Sequence, residues 1–396
     1  MKALVGWAAA AACVAATAVA VAAARHAAHA DGSPIDPSGA WHGTWIAAVL
    51  AALALSGAGV LLARRGALPL RAAVAAAVII QVLPLAGPLL LSRDAYLYWA
   101  EARVITVHHS NPYRVTPSRY PQDPGTRVAS AQWRTQKEPY GPGWAALGTL
   151  PALAAGTSRD AAQLGYRVLA TLAVLATLAV IAMRTRSAQS VALLGWSPLV
   201  ALHYAGGGHS DAVFTLVIVG ALALGTSAAG GALWPVAATF KAVPLVVLPL
   251  ELARRRLRVP RAFWLGLAGS ALALLVVAFA LFGMGWISGS LEAAHGTSPI
   301  GGVHFLTEAG LRHRYGVAIG GFVFVAIYVV LLRVAWGTGR AHSGLALATL
   351  CMCASLLRPW YALWPLAVAA FEQDDPSLAA SYALSVYVLV SDALPL

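Results

Sequence analysis

Residues 262–283 read AFWLGLAGSALALLVVAFALFG, an uncharged run that follows directly on the arginines Arg254-Arg255-Arg256, Arg258 and Arg261. An α-helix needs about 20 consecutive apolar residues to cross a hydrocarbon core about 30 Å thick. Inside that core no water is available to backbone N–H and C=O groups, so a single isolated segment must be a helix. Guanidinium groups packed against one end of such a run mark the cytoplasmic flank, because basic residues are retained on that side.

The same pattern recurs along the chain in both directions. Candidate membrane segments fall at approximately 5–24, 42–63, 69–91, 142–157, 162–183, 188–204, 211–226, 230–252, 262–283, 317–336, 343–357, 359–372 and 377–394. The short alternating segments of an outer-membrane barrel are missing. Of 396 residues, 59% are hydrophobic and 11% charged, far below the ~25% charged of soluble domains. The expected fold class is therefore all-α, a polytopic transmembrane helical bundle of 11–13 helices, some broken or re-entrant, in one integral-membrane domain over residues 1–396.

A net charge of +12 raises the question of nucleic acid. The arginines, however, sit in short clusters beside apolar runs, at Arg64-Arg65-Arg71, Arg184-Arg186 and Arg254 to Arg261, and no long soluble stretch is present to carry a polyanion-binding face. Cys13, Cys351 and Cys353 lie within apolar segments, which argues against a disulfide framework. Residues 1–30 have signal-peptide features, including the cleavage-like Ala28-His29-Ala30, but the run 5–24 is long enough to span and reads as a retained first helix.

Placing the arginine clusters in the cytoplasm puts 25–41 outside, 64–71 inside and 92–141 outside. The clusters at 184–186 and 254–261 both demand the cytoplasm, yet three segments lie between them, so one does not cross. The segment 230–251 is the natural choice, because Phe240-Lys241-Ala242-Val243-Pro244 interrupts it with a charge and a proline. Segment 142–157, short and ending at Gly156, reads as a second partial crossing. With both corrections the polar pieces 92–141, 203–211, 284–316 and 358–364 all face away from the cytoplasm.

Those outer pieces hold the residues that could do chemistry. Ser92-Arg93-Asp94-Ala95-Tyr96-Leu97-Tyr98-Trp99 leaves the third segment, followed by Glu101, His108-His109 and Asn111-Pro112-Tyr113. A carboxylate at a membrane boundary beside aromatic rings is partly desolvated, which raises its proton affinity and suits Asp94 to act as a base; helix capping explains the same residue equally simply. Glu138-Pro139-Tyr140-Gly141-Pro142 closes the loop. In Leu202-His203-Tyr204-Ala205-Gly206-Gly207-Gly208-His209-Ser210-Asp211 the three glycines allow close backbone approach beside an imidazole and a carboxylate, with a capping Asp after a spacer loop as the plainer reading. Lys241, an ionisable group inside an apolar segment, calls for an anionic neighbour unless it snorkels to the surface. His295, His304, Glu308, Arg312, His313 and Arg314 populate the second large outer loop. Arg358, before Pro359-Trp360-Tyr361, is an arginine at an outer boundary against the positive-inside bias, and its planar fork matches phosphate oxygens. No Walker loop, G-x-G-x-x-G, paired CxxC or HExxH is present.

The order of these pieces resembles the GT-C polyprenol-phosphate-mannose-dependent mannosyltransferases of actinobacteria, among them the α-1,6 and α-1,2 enzymes of lipomannan and phosphatidylinositol mannoside assembly. Asp94 with Tyr98 resembles their outer-loop acidic motif, Asn111-Pro112-Tyr113 their NPY or DPY, and Pro139-Tyr140-Gly141-Pro142 their TPYGP. Gly208-His209-Ser210-Asp211 is similar to GHND, with Ser210 in place of Asn; Lys241 to Pro244 resembles K-x-x-P, and Pro359-Trp360-Tyr361 resembles PWY.

The resemblance implies an inverting transfer on the extracytoplasmic side of the inner membrane, from a polyprenyl-phosphate sugar to a hydroxyl of a glycolipid or lipid-linked glycan. Asp94 is expected to take the acceptor proton, and Arg358, with Lys241, His304 or Arg312, to meet the donor phosphate. Tyr98, Glu101, Asn111, Tyr113, Tyr140, His209, Asp211, Trp360 and Tyr361 are expected to shape the sugar and acceptor site. The scheme calls for no metal or cofactor. A lipid or solute transporter is the competing class; it would line a path on both sides of the midplane, whereas here the polar groups other than Lys241 pool at one face.

Overall fold

The computed structural model describes residues 2–27, 39–287 and 296–393; Ala28-His29-Ala30 and His295 lie outside them. The chain is an all-α polytopic bundle, and among the described residues no strand occurs. Among the described residues five helices are long and apolar enough to cross a membrane: Lys2–Ala27, His42–Arg64, Arg159–Thr185, Arg261–Phe282 and His313–Thr338. The last two present Trp264, Leu265, Leu272, Val276, Leu281, Phe322, Val325 and Val330 on exposed faces. So much contiguous exposed apolar surface is not sustained in water, and lipid is the solvent that accounts for it.

The chain divides into two compact units. The first comprises Met1–Lys137, Ala146–Leu216 and Leu389–Leu396. Where its apolar segments break, buried polar side chains take over the backbone's hydrogen bonding. The segment expected at 188–204 divides into Ala188–Gly195, Pro198–Val200 and a π-helical turn Ala201–Ala205, because Pro198 cannot continue the first helix. Gln81 donates from Nε2 to the carbonyls of Gly195 (3.1 Å) and Ser197 (3.4 Å) across that break. Arg167 does the same further along, its Nε donating to Ala205 (2.7 Å) and its Nη2 to Gly87 (3.1 Å) and Pro84.

Residues 92–141 are not an open loop. A helix, Asp94–Thr106, occupies the start, with Ala95 to Val104 all buried. The third segment stops earlier than expected, in the 3-10 turn Leu83–Ala86, so Asp94 opens a helix of its own rather than closing that segment. The aromatic-rich run is buried on every face, and its polar members come in with it, Arg103 paired to Asp123.

The second unit comprises Glu138–Ala145 and Val217–Val388. Helix Ala228–Ala238 lies against Arg261–Phe282 with glycines at the contact, Gly231 on the Phe263 carbonyl and Gly266 on that of Ala228. Close backbone approach through small residues is how helices associate where lipid offers no hydrophobic drive. Beyond Ala238 the helix breaks, and the next, Pro244–Arg254, begins at the proline, as the sequence predicted. The carbonyls freed at the break are met by the glycine loop: Gly143 N–H donates to Thr239 (2.9 Å) and Gly141 N–H to Phe240 (3.1 Å). Tyr328 Oη donates to the Val246 carbonyl (2.8 Å), tying His313–Thr338 to Pro244–Arg254 over a core of Leu250, Ala253, Leu331 and Ala335.

Candidate active site

In the first unit the Asp94 and Gly-His-Ser-Asp segments come together. Ser92 Oγ accepts the Asp94 N–H (3.1 Å), and Arg93 Nη2 donates to the Val128 carbonyl (2.9 Å), which fixes the approach to the helix. A carboxylate in the first turn is favoured by the exposed N–H groups and the helix dipole. Oδ2 of Asp94 lies 3.3 Å from Nδ1 of His209; the imidazole is fully buried and the carboxylate side chain keeps 17% of its surface open.

His209 is placed by the turn before it. Gly206 accepts from the Leu90 N–H (3.0 Å), and Arg167 holds the carbonyl of Ala205. Gly208 has φ +80° and its α-carbon faces Arg167, so a side chain would meet both a strained backbone and the Arg167 N at 3.2 Å. Tyr98, one turn after Asp94, brings its Oη to 3.4 Å from Ser210 Oγ and packs edge-on against Tyr166. Asp211 is buried and opens helix Asp211–Leu224. Burial holds the His209 imidazole below its ordinary range, against the opposing pull of Asp94 and Asp211. His203, quoted in the same stretch of sequence but given no role there, lies with its ring centre 5.7 Å from that of His209, and its Nε2 is 3.3 Å from Oδ2 of Asp392.

The rest of the 92–141 segment is built around Asp123, also missed. Arg103 Nε donates to both carboxylate oxygens (2.8 and 3.0 Å), the Gly125 N–H donates to Oδ1 (2.8 Å), and His108 Nε2 lies 2.9 Å from Oδ2 while stacking on Tyr120 at 3.7 Å. Burial pushes the Asp123 carboxyl up, but Arg103, the Gly125 N–H and His108 together outweigh it and hold the group below the usual carboxylate range. Of the residues expected to bind substrate, Asn111 spends its Oδ1 on the Tyr113 N–H (3.0 Å), closing a local turn. Glu101 and Tyr113 are buried.

In the second unit three motifs converge on Lys241. Its Nζ lies 3.9 Å from the ring centre of Tyr361, 4.6 Å from Trp364 and 5.9 Å from Tyr140. Tyr361 and Trp364 stack at 4.3 Å, one turn apart at the start of helix Leu363–Glu372. Ring faces carry negative potential, so this cage stabilises the ammonium form in apolar surroundings. Trp364 completes it and was not singled out by sequence; the stack with Tyr361 follows from their i, i+3 spacing. Arg358, half-buried, precedes the 3-10 turn Pro359–Ala362 with its guanidinium 6.0 Å from the Trp360 ring. His304 sits 3.9 Å from Glu308 on the short helix Gly302–Glu308, and Arg312 is exposed immediately before His313–Thr338. Among the described residues no three His, Cys, Asp or Glu side chains group to hold a metal ion.

A family model described as alpha-(1->6)-mannopyranosyltransferase, N-terminal domain, matches residues 3–254, which include Asp94, Tyr140, His209 and Lys241. The chain belongs to this family. Among curated proteins, alpha-(1->6)-mannopyranosyltransferase A of Mycobacterium tuberculosis is similar, 28% identical over 350 residues that cover 77% of this chain and 67% of that protein. No solved structure matches. The protein is thus a GT-C mannosyltransferase, a multi-pass membrane glycosyltransferase, and both clusters lie on an enzyme of sugar transfer.

Proposed function

We propose that this mannosyltransferase moves mannose from a polyprenyl-phosphate carrier to a hydroxyl of a glycolipid or lipid-linked glycan, with inversion, on the extracytoplasmic side of the inner membrane. The observation that carries the reading is the Asp94–His209 pair, a carboxylate open on one side and backed at 3.3 Å by a fully buried imidazole. Asp94 takes the acceptor proton as the oxygen attacks the anomeric carbon from the face opposite the phosphate. One carboxylate suffices, because the leaving group departs as a phosphate that already carries its charge. The developing negative charge is met by Arg358 and Lys241, with His304 and Arg312 as further cationic groups, and a caged ammonium is pre-organised for that task. Tyr98, Glu101, Asn111, Tyr113, Tyr140, His209, Asp211, Trp360 and Tyr361 shape the sugar and acceptor sites.

This scheme asks for no metal and no cofactor. Its support is the family membership together with the arginine clusters that set the topology. Purified protein incubated with radiolabelled polyprenyl-phosphate mannose and an alkyl mannoside is expected to give a mannosylated product, and Asp94→Asn to give none while unfolding at the wild-type temperature. Full transfer by that variant ends the base assignment.

A further inference from the structure

In the second unit the chain passes from helix Pro244–Arg254 to helix Arg261–Phe282 through a turn in which residues 254–261 hold five arginines and no carboxylate. Three of the five are engaged within the protein. Arg254 and Arg255 meet the buried Glu251 at 2.7 and 3.6 Å. Arg256 donates from Nε to the Trp336 carbonyl (3.1 Å) and from Nη2 to that of Gly337 (3.3 Å). Those carbonyls lie in the last turn of His313–Thr338, so Arg256 ties the end of that helix to the turn from which Arg261–Phe282 departs.

Arg256 does this from a position that glycine usually takes. Its N–H closes on the Ala253 carbonyl (2.8 Å) and the Leu257 N–H on that of Leu252 (2.9 Å), the helix ending that calls for a left-handed residue. Here Arg256 stands at φ +50° and Leu257, also exposed, at φ +59°. Strain of that kind persists only where the surroundings impose it, and the two carbonyls of the neighbouring helix do so.

Arg258 and Arg261 are left exposed, as are Arg333 and Arg340 near the end of His313–Thr338, and among the described residues none of the four pairs with a carboxylate. Trp264 follows Arg261 by one turn and Trp336 precedes Arg340 by one turn, both exposed. Tryptophan settles at the level of lipid headgroups. The arginines on the polar side of these two rings therefore stand at the depth of lipid phosphates, and the exposed Leu265, Leu272 and Val276 continue from Trp264 along the acyl-chain region.

We propose that this end of the second unit binds an anionic phospholipid, its phosphate held by Arg258 and Arg261 and its acyl chains laid along the Leu265, Leu272 and Val276 face. Arg333 and Arg340 add attraction from the second helix, Arg333 by extending its long side chain toward the headgroups. The bias that keeps basic residues on one side of a membrane accounts for charge anywhere in this turn. It does not account for a strained turn locked by one arginine while two more stand open beside a tryptophan and a bare apolar face. Neither Asp94 nor Lys241 takes part.

The test uses the full-length protein in a neutral detergent, titrated with phosphatidylglycerol or phosphatidylcholine, with bound lipid read by native mass spectrometry. Phosphatidylglycerol is expected to be retained in preference, and added salt to weaken it. Each arginine near a charged lipid surface is worth about fivefold, so Arg258→Gln with Arg261→Gln is expected to weaken phosphatidylglycerol binding about 25-fold at an unchanged unfolding temperature. Equal retention of the two lipids by the wild type, or undiminished phosphatidylglycerol binding by the double variant, overturns the site. Should the double variant fail to fold, a photoactivatable phosphatidylglycerol on the wild type decides: crosslinks are expected within 257–276, and crosslinks confined elsewhere overturn it. Glycerol phosphate is expected not to displace the lipid; displacement at equal concentration means a site for a soluble anion and overturns the lipid assignment.

Discussion

The ammonium of Lys241 sits 3.9 Å from the centre of the Tyr361 ring and 4.6 Å from that of Trp364, so a residue that interrupts one apolar segment is held by two that open another. Each cation–π contact is worth about 0.5–2 kcal/mol once water is excluded. Tyr361→Leu is expected to weaken donor binding by roughly tenfold, with Tyr361→Phe close to wild type because the ring face remains. The measurement is KM for polyprenyl-phosphate mannose; equal values in the Leu and Phe variants dismiss the cage.

Replacing Asp94 by Glu keeps the charge but shifts the carboxylate away from His209. Activity is expected to fall by about 10²-fold, less than the complete loss in Asp94→Asn, because general-base efficiency depends on position as well as basicity. Single-turnover rates of the two variants check the order.

The Asp123 carboxyl titrates below its unfolded value, so its contribution to stability is fully present above the ordinary carboxylate pKa of about 4 and disappears as pH falls through the lower folded value. Asp123→Asn is expected to remove about 3–5 kcal/mol at neutral pH, since it leaves the Arg103 guanidinium buried without its partner. Unfolding temperature followed from neutral to acid pH should converge for the two proteins at the acid end. Parallel curves throughout speak against the pairing.

Arg167 satisfies three carbonyls from two separate turns at once. Arg167→Met takes the donor from the Ala205 and Gly87 carbonyls, at about 1–3 kcal/mol for a group left buried and unmet, while Pro84 still accepts from the Gly87 N–H. The expected result is a markedly lower unfolding temperature and, because the Ala205 carbonyl anchors the turn before His209, a loss of activity even below that temperature. Unaltered stability is the contrary outcome.

How much of this was legible in the sequence varies with its physical basis. Long uncharged runs such as 262–283 announce helices because the membrane allows little else, and the break at Lys241 was readable because a proline and a charge have few other uses there. Asp94 and Tyr98 stand in one motif and His209 in another, and the meeting of the two motifs follows from tertiary contacts that no local spacing encodes. Arg167 and Gln81 were overlooked because each sits singly in an apolar run, and what they satisfy, carbonyls freed by distant turns, is visible only in three dimensions. His203 and Asp392 are far apart in the chain, and the helix Asp94–Thr106 is hard to see in the sequence because Glu101 and Arg103 interrupt its apolar run, although both are buried.

Glu138–Ala145 belongs with residues synthesised far later than its own neighbours in the chain. When this short stretch leaves the ribosome, the Thr239 and Phe240 carbonyls that its glycine amides will meet have not yet been made. The nascent protein must therefore hold the stretch in water or in the insertion machinery until the second half arrives. Biogenesis of this enzyme is a clasp closed late, and a truncated chain ending before residue 239 lacks the far side of that clasp.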